Sequence, residues 1–489
     1  MMEDWVECSF EDLLDYEQPT KYIVSSTKYS DEFKTPVLTA GKSFIKGYTN
    51  ETEGVFNNLP TIIFDDFTTA TQYVNFEFKV KSSAMKILIP TSKLVNMPLT
   101  YFAMQVNQIR SDTHKRYWIS VFAKKKVSLP PLPIQRAIVS KIESLFSSLD
   151  SGIADLKKAQ AQLKIYRQAV LKKAFEGELT KEWREQQRDL PSADELIELI
   201  ESERQIDFEN QIKVWTSNVN DWETNGKKNK KPKKPRQLDR KTFDDFIIEY
   251  PTPKRWKLCQ IGEVMWYLTD YHANGSYSVL KENVTLSETP GYAIMIRATN
   301  FEKNDFIDEL KFVDQKGYDF LKKSKLFGGE ILIGKIGNAG KVYLMPNLNK
   351  KASLAMNLFA LRFKYLSSKY IYYQLKSFHQ DKEIRSYVKG VGNPTIDKIS
   401  IRSIHINLCS REEQDLVVKV IESRLSVCDK VEKDIKDSLV KATALRQSIL
   451  KKAFEGKLLT KAEIEKCKQE ADYEPASVLL ERIKKEKKK

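Results

Sequence analysis

Between residues 138 and 170 apolar side chains recur three and four positions apart: Ile138, Ile142, Leu145, Leu149, Leu156, Leu163, Tyr166 and Val170, with Gly152 and Ala159 between them. That spacing is the seam of a long amphipathic helix. It returns at Val417, Ile421, Arg424, Cys428, Ile435, Ala442, Leu445 and Ile449, with Val431 and Ser438 in the intervening places. Glycine costs about 1 kcal/mol against alanine inside a helix, so Gly152 predicts close approach of a second element there. The stretches ahead of each helix have another rhythm. TPVLTAGKSFIKG, LPTIIFDDF, QYVNFEFKV and AMKILIP in the first, and YAIMIRATNF, GGEILIGKIGNAGKVYLMP and LFALRFKY in the second, are short β-rich runs bounded by Gly, Pro and Asn. SSKYIYYQLKSFHQDKEIRSYV reads as one helix with aromatic and basic faces. The expected class is mixed α+β.

The two helical stretches are a repeat. At an offset of 279 the register holds from Gln135/Gln414 to Leu179/Leu458, with 19 of 45 positions identical and LKKAFEG written twice. Such a helix is a rod of about 65–70 Å, from about 1.5 Å per residue. Gly177 and Gly456 stop both copies at the same place. Two such helices in one chain can bury each other's seam, the alternative being two independent helices that each pack on their own domain. The regions before them begin alike, WVEC and WKLC, and end alike, SLPPLPIQRAIV and HINLCSREEQDLVV, while their middles differ. LPSADELIELIESER follows the first copy and EPASVLLERIKKE the second. The organisation read from this is a first α/β domain over 1–132 and a long helix over 133–180. A helical then Lys/Pro-rich linker over 181–250 follows, expected to be a semi-flexible spacer. A second α/β domain covers 251–409, a second long helix 410–460, and a helical tail 461–489.

Charge narrows the partners. The 489 residues carry a net charge of +15, which points weakly to a polyanion. Lys79–Lys126 holds ten basic residues against Asp112 alone, residues 320–402 hold 16 basic against four acidic, and GKKNKKPKKPRQLDR adds a third block. No apolar run of about 18 residues indicates a membrane span, and the acidic start lacks an apolar signal core. The five cysteines fall in no CxxC pair, which argues against disulfides or zinc and suits a cytoplasmic protein.

Catalytic motifs are incomplete. PVLTAGKS lacks the opening glycine of a phosphate loop, and GEILIGKI lacks its hydroxyl. GNPT lacks the second proline and the aromatic of an adenine-methyltransferase loop. Asp65–Asp66 has no following Glu-x-Lys and reads as a turn. No catalytic residue and no metal ligand is assigned.

The alternation of variable domain and repeated helix resembles the specificity subunit of type I DNA restriction–modification systems. GGEILIGKIGNAGKV is similar to that family's GDIL…G…GK hairpin, MIRATNF to its early strand, and GVGNPTIDKISIRSIHI to its closing pattern. IIFDDFTTATQYVNFEFKVKSSAMKIL and LPPLPIQRAIVSKIESLF resemble its recognition domains and the helices behind them. The likeness covers almost the whole chain. The first domain starts unusually close to Met1, so a missing upstream segment is one expectation, and the linker is longer and more basic than a minimal one. The resemblance implies two target-recognition domains binding double-stranded DNA, separated by a long antiparallel two-helix coiled coil with a pseudo-two-fold repeat. It implies two modification subunits docked on the helices, methylating adenine, and restriction subunits with them. S-adenosylmethionine, ATP and Mg²⁺ would sit on those partners and no cofactor on this chain, which would be non-catalytic.

Basic and amide side chains suit phosphates and base edges. The expected DNA contacts are Lys81, Ser82, Ser83, Gln108, Arg110, Lys115 and Arg116 in the first domain. In the second they are Arg297, Asn300, Lys335, Asn338, Lys341, Lys389, Asn393 and Thr395. The expected target is split and asymmetric, with its halves about one helical turn, roughly 10 base pairs, apart. The repeated helix ends offer two equivalent docking places: Arg167, Lys172, Lys173 and Phe175, and Arg446, Lys451, Lys452 and Phe454. Phe175 and Phe454 could instead be core anchors only. The alternatives are a coiled-coil scaffold with peptide-binding domains, and a reader in a methylation-only system.

Overall fold

The computed structural model describes residues 4–39, 43–107, 117–243 and 252–488. The chain divides into two compact units, Met1–Ala159 with Asp434–Lys489, and Gln160–Lys433. Two helices of 44 residues each, Leu132–Phe175 and Arg411–Phe454, contribute to both units. In the first unit Ile138 and Ile142 share a core with Ile449, Leu450 and Ala453. In the second, Val170, Leu171 and Ala174 share one with Val417, Val418 and Ile421. In each unit the start of one helix meets the end of the other, so the pairing is antiparallel.

The seam differs from the expected one in detail. Gly152 is exposed, and a Cβ built on it would meet nothing within 4 Å, so no close approach occurs there. Ile153 is the half-buried residue at that turn. Tyr166 and Leu445 are 45% and 51% exposed, and Arg424 and Val431 also face out. At the Tyr166 and Leu445 turns the half-buried places belong to Arg167 and Arg446. The arginines displace the apolar neighbours because each finds a carboxylate on the facing helix.

Both helices end in the same way. Gly177 and Gly456 adopt φ of +74° and +70°. Glu178 N–H then bonds Lys173 O at 3.0 Å, and Lys457 N–H bonds Lys452 O at 2.8 Å. This six-to-one closure needs a left-handed residue, hence glycine.

In the first unit β1 (Val6–Ser9) leads to β2 (Leu14–Glu17), β3 (Thr35–Leu38), β4 (Ile45–Thr49), β5 (Thr61–Asp65), β6 (Thr71–Val74), β7 (Lys79–Val80), β8 (Met85–Pro90) and β9 (Lys126–Leu129). They form one sheet in the order β2-β8-β5-β6 and another in the order β4-β3-β7, with β3 and β7 parallel. β1 and β9 pair antiparallel and clasp the start of the domain to its end.

The second unit contains β10 (Lys257–Gln260), β11 (Tyr267–Asp270), β12 (Ala293–Ile296), β13 (Phe312–Val313), β14 (Lys325–Leu326), β15 (Ile331–Gly334), β16 (Val342–Leu344), β17 (Ala352–Leu354), β18 (Leu358–Arg362) and β19 (His405–Leu408). Its sheets run β11-β18-β15-β16 and β13-β12-β17-β14, with β12 and β17 parallel, and β10 clasps β19. The topology is that of the first unit, with β13 in the place of β4 and one strand, β14, added beside β17. The like beginnings and endings of the two domains are thus paired partners in each. The single helix expected over 367–388 is two, Ser368–Leu375 and Phe378–Tyr387. Ser377 takes extended backbone between them, and its hydroxyl donates to the Gln380 side-chain oxygen.

The segment expected to be a spacer is partly built into the second unit. In its helix Ala193–Thr224, Ala193, Ile197 and Ile200 are buried in that unit's core, and Arg204 Nη1 donates to Glu263 O at 2.6 Å. The tail helix Ala476–Lys487 covers the first unit with Leu479, Leu480 and Ile483 against Phe10, Leu13 and Trp118. The two segments following the repeats are therefore alike because each caps one domain.

Candidate nucleic-acid interface

Strand direction gathers the loops of each domain at one end. In the first unit, β3 and β7 run parallel and end together, and Lys81 N–H bonds Leu38 O at 3.0 Å. β8 begins opposite the end of β5, with Asp65 facing Met85. The loop 81–84 therefore lies beside the end of β3 and the β5–β6 turn. Lys81, Ser82 and Ser83 are all exposed on it. Asp65 Oδ1 accepts from Phe67 N–H at 2.8 Å and Thr68 N–H at 3.2 Å, and Asp66 Oδ1 accepts from Trp118 N–H at 2.9 Å. These carboxylates shape the turn. Gln108, Arg110, Lys115 and Arg116 lie outside the described residues.

In the second unit five stretches meet. Lys335 N–H bonds Asn357 O at 2.8 Å, Gly337 N–H bonds Pro394 O at 3.0 Å, Ile396 N–H bonds Lys335 O at 3.1 Å, and Ala355 N–H bonds Ile296 O at 2.9 Å. The hairpin 335–341, the loop 389–395, the turn 355–357 and the start of 297–302 thus share one rim, with the end of β11 beside them. A Cβ on Gly334 would stand 1.9 Å from Asn338 O, which is why the hairpin opens with glycine. GEILIGKI is therefore strand and tight turn, with no helix after it.

The rim residues differ in what they offer. Lys389, Asn393 and Thr395 are exposed, and Asn338 is half-buried. Lys341 Nζ pairs with Glu302 at 3.0 Å. Arg297 Nη2 donates to Glu309 O at 2.7 Å, while its buried Nε finds no partner among the described residues. Asn300 is buried and spends its amide locally: Oδ1 accepts from Arg297 N–H at 2.9 Å and Nδ2 donates to Asp305 O at 3.1 Å. Lys335 bonds the buried Asp270 at 2.7 Å, and Lys398 bonds its other oxygen at 2.9 Å. Burial alone would raise the Asp270 carboxyl, but the two lysines outweigh it and hold it below the usual range. Lys335 and Asn300 therefore position the rim. Phe67, Thr68, His272 and Asn357, none of them among the expected contacts, are also exposed on these rims. Their place at strand ends was the available signal.

A cavity of about 570 Å³ opens beside Arg297 and Asn338, lined by Tyr271, Tyr277, Leu280 and Met356. Among the described residues no group of three or more His, Cys, Asp or Glu could hold a metal ion. No described helix is long and apolar enough to cross a membrane.

On the repeated helix ends, Arg167 Nη2 bonds Asp429 at 2.7 Å and Glu432 at 2.9 Å. Arg446 bonds Asp150 and lies 4.4 Å over the Phe146 ring. Lys172, Lys173, Lys451 and Lys452 are exposed. Phe175 is buried edge-on to Tyr370, with ring centres 5.3 Å apart, and Phe454 is half-buried against the core of the first domain.

Two domains of one topology, each packed on the end of a repeated helix and each presenting a polar rim of loops, make up the class of fold. The family described as type I restriction modification DNA specificity domain matches residues 2–159 and again 253–441. The chain belongs to that family. It is 43% identical over 184 residues to the EcoR124I/EcoR124II specificity subunit of Escherichia coli, covering 35% of this chain and 44% of the relative. It is 24% identical over 361 residues to the EcoBI specificity subunit of the same organism, covering 73% and 64%. These matches thus span less than two thirds of either relative. A chain solved in work on complex assembly and conformational transition of the type I R-M system shares the fold, with a TM-score of 0.60 at 14% identity over 94% of this chain and 99% of that one.

Proposed function

We propose that this chain is the sequence-reading, non-catalytic subunit of a type I restriction–modification assembly acting in the cytoplasm. Each rim reads one short half of a split duplex target, and the unlike rims make that target asymmetric. The modification subunits, with S-adenosylmethionine, dock near the repeated helix ends through Lys172, Lys173, Lys451 and Lys452. The restriction subunits, with ATP and Mg²⁺, join that complex.

The observation carrying this reading is the duplication itself: one domain topology, one clasp and one helix end occur twice, while the rims differ. A protein that holds one partner twice and reads two sequences needs that combination. The test is methyladenine mapping of genomic DNA in a host supplying the modification subunit, with and without this chain. A split, asymmetric motif seen only with the chain is expected. No new methylation from an assembled complex would overturn the reading.

A further inference from the structure

The run Lys227–Arg236 carries seven basic residues and no acidic one. It does not hang free. Trp222 Nε1 donates to Asn229 O at 2.5 Å and Trp215 Nε1 donates to Pro232 O at 3.0 Å, so two tryptophans of the helix Ala193–Thr224 pin the run back along that helix. Lys227 and Lys231 lie 5.7 and 5.6 Å over the Trp222 ring, and Lys234 lies 5.7 Å over Trp215. Pro232 and Pro235 bar a helix and favour an extended strand of about 3.1 Å per residue. Among the described residues no carboxylate lies within ion-pair distance of Lys227, Lys228, Lys230, Lys231, Lys233, Lys234 or Arg236, and all seven are exposed.

The run leads into a cavity of about 420 Å³ lined by Arg204, Arg236, Arg240, Lys322, Lys323 and Arg362, with Asp207 as its acidic lining residue. Arg240 and Arg362 have carboxylate partners, Glu201 at 3.2 Å and Glu330 at 3.3 Å. Arg204 is 9% exposed, its Nη atoms bond only backbone carbonyls, and its buried Nε has no partner among the described residues. Burial pulls this guanidinium down to about 10. Two backbone carbonyls fix Arg204 as a cation in the cavity lining, with Glu201 as the carboxylate that acts on it.

We infer that the pinned Lys/Pro run and the arginine-lined cavity form one phosphate-binding arm that holds the backbone of duplex DNA without regard to sequence. This rests on the DNA-reading assignment and adds to it a contact outside the two rims. Its nine steps at about 3.1 Å span roughly 28 Å and carry seven charges, about one per 4–5 Å, against one phosphate per about 3.4 Å of helix axis on one DNA strand. An ordered run also loses less conformational entropy on binding than a free one.

The test uses the full chain and fluorescent duplex DNA, with and without the mapped motif, titrated between about 50 and 200 mM salt. One variant changes the six lysines of the run to glutamine; a second is Arg236→Gln/Lys322→Gln/Lys323→Gln. All these positions are exposed, and unchanged thermal melting confirms the fold. Each phosphate no longer neutralised lowers the steepness of the log affinity against log salt plot by about 0.9. The lysine variant is expected to drop by about 3–5 in slope and at least tenfold in affinity for motif-free DNA, as about 0.9 per phosphate implies, and to keep its preference for the motif. A wild-type slope in both variants overturns the arm while leaving the reading domains intact. A wild-type chain with no salt-dependent DNA binding would instead sink the reading itself. Wild-type DNA binding with weakened retention of the modification subunit would assign the run to an acidic protein partner and also overturn the inference.

Discussion

Arg167 bonds Asp429 at 2.7 Å, and at the equivalent positions of the repeat Arg446 bonds Asp150. One ion pair is thus made twice, each time between the end of one long helix and the early part of the other. It explains why the seam carries arginine where its rhythm suggests Tyr166 or Leu445. Arg167 is a quarter exposed and Asp429 mostly exposed, so the pair is worth little. Arg167→Ala is expected to cost about 1 kcal/mol in urea unfolding, and Arg446→Ala about the same. A difference of several kcal/mol between the two variants would refute their equivalence.

A deeper network ties the first helix end to the second domain. Glu413 is buried and accepts from Arg184 Nε at 2.8 Å, Thr180 Oγ1 at 2.7 Å and Trp256 Nε1 at 2.9 Å. Removing the carboxylate leaves the Arg184 charge buried and uncompensated. Glu413→Gln should therefore destabilise by about 3–5 kcal/mol, whereas Trp256→Phe, which removes one N–H donor to the carboxylate, should cost about 1.5–3 kcal/mol for that bond. Chemical denaturation followed by circular dichroism would rank them, and equal losses would show that the charge is not the cause.

Asp270 has a lowered folded pKa because Lys335 and Lys398 outweigh its burial. Its contribution is present above the unfolded value of about 3.9 and is lost as pH falls below it. Asp270→Asn should melt lower than wild type at pH 7, and the gap should close below about pH 4. A gap unchanged between pH 7 and pH 3 would rule out the ion pairs as its source.

The rims predict separable specificity. Asn338→Ala with Asn393→Ala should relax the half-target read by the second domain by about 1–3 kcal/mol per amide–base pair removed, leaving the other half unchanged. Changes at Lys81, Ser82 and Ser83 should act on the first half alone. Methyladenine mapping reads both at once, and a variant that altered both halves would break the assignment.

Docking and packing can be told apart at the helix ends. Phe175→Ala should cost about 3–5 kcal/mol of stability because Phe175 is buried. Lys172→Glu/Lys173→Glu should leave melting within about 0.5 kcal/mol and weaken binding of the modification subunit. Retention of full binding by that variant and by Lys451→Glu/Lys452→Glu would remove the helix ends as docking places.

The sequence by itself determined the two long helices, their repeat at one offset, the glycines that end them and the like openings and closings of the domains. These are periodic or local signals, written in neighbouring residues. It could not supply the common topology of the two unlike middles, because strand order depends on pairings between distant segments, such as β3 with β7 and β12 with β17. Nor could it tell Lys335, engaged by Asp270 65 residues earlier, from Lys389, which stays exposed. The helical face that turns inward was legible only to within one position, since Arg167 and Arg446 are drawn into it by carboxylates on the other helix. The Lys/Pro run has the composition of a spacer, yet Trp215 and Trp222 hold it along their helix. In each case the deciding partner is remote in the chain, and only the tertiary structure brings it near.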